Sequence, residues 1–87
     1  MRKVRSVETK GGSLLPIGVV QVFGTFGKGD VVALCDTAGS EYARGLCNFS
    51  AADAEKIRGL RTDQIADVLG AIPYEEIVHR DNLVVLD

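Results

Sequence analysis

A mainly β domain with short helices, of the α+β class, is what this sequence predicts. Three observations lead there. Valine and isoleucine supply 16 of the 87 residues, and such β-branched side chains favour pleated backbone. The apolar runs are short and are separated by glycine-containing turns, and two brief capped stretches with helical spacing fall together in residues 50–70. With 87 residues the chain makes one domain, residues 1–87, with a single modest core. It is too short for a doubly wound or barrel enzyme. Apolar residues at 46% and charged residues at 25% are the proportions of a folded globule.

Taken in order, residues 3–10 fit a short helix with Val4 and Val7 on one face, stopped by Gly11-Gly12. Ser13 to Gly18 contains Pro16, which has no amide donor, so this piece reads as an edge strand or extended loop. Val19 to Phe26 and Val31 to Cys35 read as strands, and the glycines at 24, 27 and 29 read as a hairpin turn between them. The second of these strands is apolar almost throughout. Asp36-Thr37-Ala38-Gly39-Ser40 is a turn, and Glu41 to Phe49 returns as a third strand.

A hairpin centred on Ala38-Gly39 sets Cys35 opposite a position near Tyr42 and leaves Cys47 about 15 Å further along at roughly 3.3 Å per residue. A disulfide needs Cα atoms within roughly 7 Å, so both thiols are expected to be free. Ser50 caps a helix over about 51–58 that ends at Gly59, with Ala54 and Ile57 inward. Thr62 and Asp63 cap a second helix over about 62–69 with Ile65, Val68 and Leu69 inward and Gly70 at its end. Ile77-Val78 and Leu83 to Leu86 read as short closing strands around the segment His79-Arg80-Asp81-Asn82.

The net charge of −2 hides an asymmetry: residues 1–30 sum to +3 and residues 31–87 to −5. A dedicated nucleic-acid binder is usually basic as a whole, because it must neutralise phosphates. Here only a local basic patch in the first third is available. No stretch is long and apolar enough to span a membrane, and no apolar segment follows Arg2-Lys3-Val4-Arg5, so neither a membrane nor secretion is indicated. Reduced cysteines in apolar runs fit a cytoplasmic protein.

Motifs that carry chemistry are nearly absent. Gly24, Gly27 and Gly29 run in the reverse order of the dinucleotide fingerprint and do not open a helix. His79-Arg80-Asp81 matches the catalytic-loop tripeptide of protein kinases, yet Leu86 stands where that loop needs a magnesium-binding asparagine. A turn held by hydrogen bonds and a local ion pair is the better reading. Glu75 and Glu76 are neighbours in sequence, so they make a solvated edge and not an acid/base pair. Two cysteines and one histidine fit no zinc pattern, and no serine has a base at hand. No catalytic residue and no metal ligand is therefore assigned.

One resemblance is carried by particular residues. Ser13-Leu14-Leu15-Pro16-Ile17-Gly18-Val19, then Phe26-Gly27-Lys28-Gly29-Asp30-Val31-Val32, then Ala43-Arg44-Gly45-Leu46 resemble the PUA domain, a small β pseudo-barrel. The run through Lys56-Ile57-Arg58-Gly59 to Tyr74-Glu75-Glu76-Ile77-Val78-His79-Arg80-Asp81-Asn82-Leu83-Val84 is similar to the C-terminal PUA domain of the bacterial glutamate 5-kinase family. That family phosphorylates glutamate with ATP at the start of proline biosynthesis.

The resemblance implies that ATP, magnesium and catalysis belong to a separate, preceding amino-acid-kinase domain and that this domain holds no cofactor. It implies an accessory or regulatory part, with the kinase domain or a second copy as partner. It also implies that Val4 to Lys10 is the helix following a first strand that is missing, which would leave a bare sheet edge. In RNA-binding relatives the surface lies at the glycine turn after the first helix and at the last strand. The corresponding positions are Lys10, Gly11, Gly12 and Ser13, with Arg80 nearby, so an RNA-binding module is the alternative function. The other reading of the same glycines is a plain helix end. No aromatic ladder is evident, since Phe23, Phe26 and Phe49 are expected in the core.

Overall fold

A computed structural model describes residues 2–7, 12–71 and 74–86. Five strands form one sheet in the order β2-β1-β3-β4-β5, where β1 is Lys3–Ser6, β2 Val19–Phe23, β3 Val31–Cys35, β4 Glu41–Leu46 and β5 Leu83–Val85. Helices α1, Ala51–Ile57, and α2, Thr62–Leu69, pack on one face. The α+β expectation holds.

The start of the chain departs from the sequence reading. Residues 3–6 are a strand, not a helix, and that strand is central. Val4 and Ser6 point into the core while Lys3 and Arg5 point away, a period of two. Strand β1 pairs antiparallel with β2, Val4 facing Val22, and parallel with β3, Val4 facing Leu34. The ground for expecting a missing first strand, that Val4 already lies in the following helix, is thereby removed. Val7, placed on the same apolar helix face, is 61% exposed.

Because β1 lies between β2 and β3, residues 24–30 are a crossover and not the expected hairpin turn. Gly24 and Gly29 there take φ of 80° and 89°, a region that costs other residues steric strain. The Gly27 N–H donates to the Asp30 carboxylate at 2.8 Å, and the Gly29 N–H to the Cys47 carbonyl at 2.7 Å, which ties the crossover to the end of β4. Ser13 to Gly18 is not an edge strand of the sheet. Leu14 makes an isolated bridge with Val78, and Pro16–Gly18 is a 3-10 turn with proline at its start.

The β3–β4 hairpin has the expected register, Val31 facing Leu46 and Leu34 facing Ala43. A bulge then shifts Cys35 from Tyr42 to Glu41. Asp36 Oδ1 accepts from the amides of Ala38 and Ser40 at 3.0 and 2.9 Å, which shapes the turn. Cys35 and Cys47 are free and buried. Burial pushes the Cys47 thiol up from its ordinary value; a hydrogen bond from the Phe49 backbone acts the other way and loses.

Ser50 caps α1 as expected, its Oγ accepting from the Asp53 amide at 3.2 Å. For α2 the cap position is Arg61, not Thr62 or Asp63, and Gln64 Oε1 reaches back to the Arg61 amide at 2.9 Å. Gly70, at φ 77°, closes the helix as foreseen. Ile65 is buried and Leu69 partly so, but Val68 is 45% exposed. The core joins Val4, Val32, Leu34 and Ala43 of the sheet to Leu14, Phe26, Phe49, Ala54, Ile57, Ile65, Ile77 and Val78. Phe26 and Phe49 lie there, whereas Phe23 stays partly exposed on the opposite face of the sheet.

Candidate ligand surface at the Leu14–Val78 junction

Lys10 and Gly11 lie outside the described residues. Of the remaining expected positions, Gly12, Ser13 and Arg80, the structure brings two together. The Arg80 amide donates to Ser13 Oγ at 2.8 Å, across 67 positions of sequence. Beneath this contact Leu14 is fully buried. Its amide donates to the Val78 carbonyl at 2.9 Å and its carbonyl accepts from the Ile77 amide at 2.7 Å. The loop before the first 3-10 turn is thus bound to the segment before β5 by backbone bonds that do not depend on side-chain identity.

Arg80 opens a second 3-10 turn, Arg80–Asn82, whose N-cap is His79. His79 Nδ1 accepts from the Asp81 amide at 3.1 Å. The same nitrogen lies 3.5 Å from the Asp81 carboxylate. A nitrogen accepting from an N–H carries no proton there, so the cap and a Nδ1 ion pair exclude each other. Either way His79-Arg80-Asp81 organises a turn, as the sequence reading expected. The Arg80 side chain is exposed, and a Cβ on Gly12 would meet nothing within 4 Å. Packing against the described residues therefore does not require glycine at 12, and none of them fills the space where its Cβ would stand. A cation, a hydroxyl and exposed backbone together can bind an anion; they offer no general base or nucleophile. Among the described residues no three His, Cys, Asp or Glu side chains converge as a metal site, and no helix is long and apolar enough to cross a membrane.

Two features escaped the sequence reading. A hollow of about 600 Å³ runs between β2 and α1, lined by Val20, Val22, Thr25, Ala52, Glu55 and Arg58 among others. The Arg58 guanidinium pairs with Glu55 at 2.7 Å and donates to the Val20 carbonyl at 3.3 Å, covering part of the β2 edge. Nothing local in the sequence marks this contact. On the far side of the sheet Lys3 and Arg5 stand over the Phe23 ring, 5.9 and 5.4 Å from its centroid. The alternation Lys3-Val4-Arg5-Ser6 is the signal that could have placed those cations on one face.

Residues 3–69 match the model of the PUA domain. The chain is 52% identical over 83 residues to a glutamate 5-kinase of Bordetella petrii, covering 95% of this chain and 22% of that protein. It is 49% identical over 82 residues to the Moorella thermoacetica enzyme of the same name, again covering 22% of it. The chain thus spans about a fifth of the length of the relatives it matches. Among solved structures it is similar to a PUA domain from Aeropyrum pernix K1, crystallised as a tartrate complex, at a TM-score of 0.61 and 18% identity over 90% of this chain and 41% of that one.

Proposed function

Since the chain belongs to the PUA domain family, we propose that it is the accessory, non-catalytic domain of a glutamate 5-kinase. In this reading it acts in the cytoplasm by packing on the kinase domain or between subunits and so tuning assembly or feedback by proline. ATP, magnesium and the phosphoryl transfer belong to the kinase domain. The observation that carries the reading is the pairing of two coverages: 95% of this chain matches, and that match is 22% of the relative. Removing the matched segment from the Moorella thermoacetica enzyme is expected to change its oligomeric state or its inhibition by proline. Unchanged assembly, activity and inhibition would sink the proposal.

A second reading, an RNA-binding module, is favoured by one observation, the Ser13–Arg80 contact beside Gly12, whose Cβ position no described residue fills. Its test is a titration with structured and single-stranded RNA at several salt concentrations. Binding through phosphates makes log K fall linearly with log salt, and Arg80→Ala should weaken all sequences alike and lower that slope by about one. No binding at low salt removes this reading.

A further inference from the structure

One face of the sheet lies in the core; the other is left partly exposed by the described residues, and it is not patterned as a solvated sheet. An antiparallel sheet with one wet face normally alternates apolar-in with polar-out. Strand β3 breaks this rule. Val32 and Leu34 are buried in the core, yet the outward Val31 is also apolar and 51% exposed. Its partner Leu46 on β4 and Val84 on β5 point the same way, 40% and 66% exposed. Together with Arg44, Gly45 and Asn82 they line a hollow of about 230 Å³.

The registers run Phe23, Lys3, Ala33, Arg44 and Val84 in one line across all five strands. The β1 side of that line is cationic. Arg44 is held by Glu41 at 3.1 Å, but Lys3 and Arg5 have no carboxylate partner among the described residues. Arg5 donates through Nη1 to Gln21 Oε1 at 3.5 Å, and its Nε has no hydrogen-bond partner among the described residues.

We propose that this face, with Val31, Leu46 and Val84 at its centre and Lys3 and Arg5 at its rim, docks onto the remainder of a glutamate 5-kinase chain through an apolar surface edged by carboxylates. The inference rests on the accessory-domain reading. Size decides between that occupant and a second free copy. Five strands about 4.8 Å apart and four residues at about 3.3 Å give a footprint on the order of 250 Å². A stable interface between free proteins buries roughly 800 Å² per partner. A tethered partner needs far less, because linkage replaces free concentration by a high local one. About four fifths of each relative lies outside the match, so such a partner is covalently at hand.

The test exchanges this chain for the matching segment of the Moorella thermoacetica enzyme, accepted only if active. The Bordetella petrii enzyme is the second host should the first exchange not fold. Single cysteines are placed at Leu46, Val84 and, away from the face, Val68, in Cys35→Ala/Cys47→Ala backgrounds that fold. Alkylation rates are read in the exchanged enzyme and in the free 87-residue chain. Slowing of at least tenfold at 46 and 84 with no change at 68 supports the docking. Equal rates at 46 and 84 in both proteins overturn it, as does slowing at 68 alone, which would leave the accessory reading intact with another face in use. Slowing at 84 in the free chain as its concentration rises would give the face to a second copy instead. The accessory reading itself fails only in the segment-removal experiment.

Discussion

Gly45 is the position where one added carbon should do most damage, and the structure says why. It sits mid-strand in β4, opposite Val32 on one side and Leu83 on the other. A Cβ there would lie 2.5 Å from Val78 Cγ1, 2.7 Å from the Asn82 carbonyl oxygen and 3.3 Å from Leu83 Cα. Carbon–carbon contacts are comfortable near 3.5–4.0 Å, so Val78 would have to retreat by about an ångström. Val78 is wholly buried and its backbone is bonded to Leu14, which leaves it little room. The Asn82 oxygen is backbone and cannot rotate aside.

Overpacking of this kind costs roughly 1–3 kcal/mol. Alanine recovers about 0.4–1 kcal/mol by restricting the unfolded chain, so Gly45→Ala should lose about 1.3 kcal/mol at the middle of both ranges and at most about 2.6 kcal/mol. In a domain of this size each kcal/mol moves Tm by about 4–8 °C, giving a fall of roughly 5–10 °C at that middle value. Thermal melting followed by circular dichroism measures it, with Gly12→Ala as the control expected not to lower Tm and to raise it by roughly 2–8 °C, because no described residue lies near that Cβ. Val78→Ala, which empties part of the core, should cost less in the Gly45→Ala background than in the parent because it relieves the contact with Cγ1; the double-mutant cycle reports that coupling. If Gly45→Ala melts with the parent protein, the close approach of β5 and the Val78 segment to β4 is wrong.

Three further outcomes are expected. Tyr42→Phe leaves the buried Ser6 hydroxyl without its partner at 2.7 Å and should cost about 1–3 kcal/mol in urea unfolding, whereas Ser6→Ala/Tyr42→Phe should cost little more than Tyr42→Phe alone. Ser50→Ala removes the α1 cap and should cost about 1 kcal/mol, with Ser50→Asp close to the parent. The Cys47 thiol has a folded pKa above its ordinary 9.0, so its contribution to stability is complete below pH 9.0 and is lost as pH rises through the folded value. Parent and Cys47→Val should diverge in stability only above that pH, the parent falling more steeply; parallel curves would contradict the burial.

Much of this fold is legible in short stretches of sequence. Turn chemistry at Asp36 and Gly39, the Ser50 cap and the Gly70 stop are local events, decided by hydrogen bonds and backbone sterics within a few residues. They placed β3, β4, α1 and α2 close to their observed bounds, and the turn alone set the hairpin register up to the bulge at Cys35. The first strand was not legible in the same way. Val4 and Val7 fit helical spacing as well as the pair Val4 and Ser6 fits a strand. The choice fell to partners distant in sequence, β2 and β3, whose ladders a four-residue segment cannot announce. Val68 shows the same limit on a helix: its spacing suits the core, yet in the fold it stays 45% exposed while Ile65 is buried.

The candidate surface divides along the same line. Ser13 and Arg80 could be named from a resemblance, but that they touch, and that no described residue fills the space beside Gly12, required the Leu14–Val78 bridge to be built. The partly exposed sheet face was hidden for a different reason. The apolar run of β3 was visible, as were the cations of residues 2–5, but a sequence does not say that only one face of a strand will be covered. Composition and local backbone preference determined the class of this protein, the β3–β4 hairpin, both helices and its free thiols. Only tertiary pairing decided which strand is central, which glycine admits no side chain, and which valines face solvent, because those depend on contacts between residues tens of positions apart.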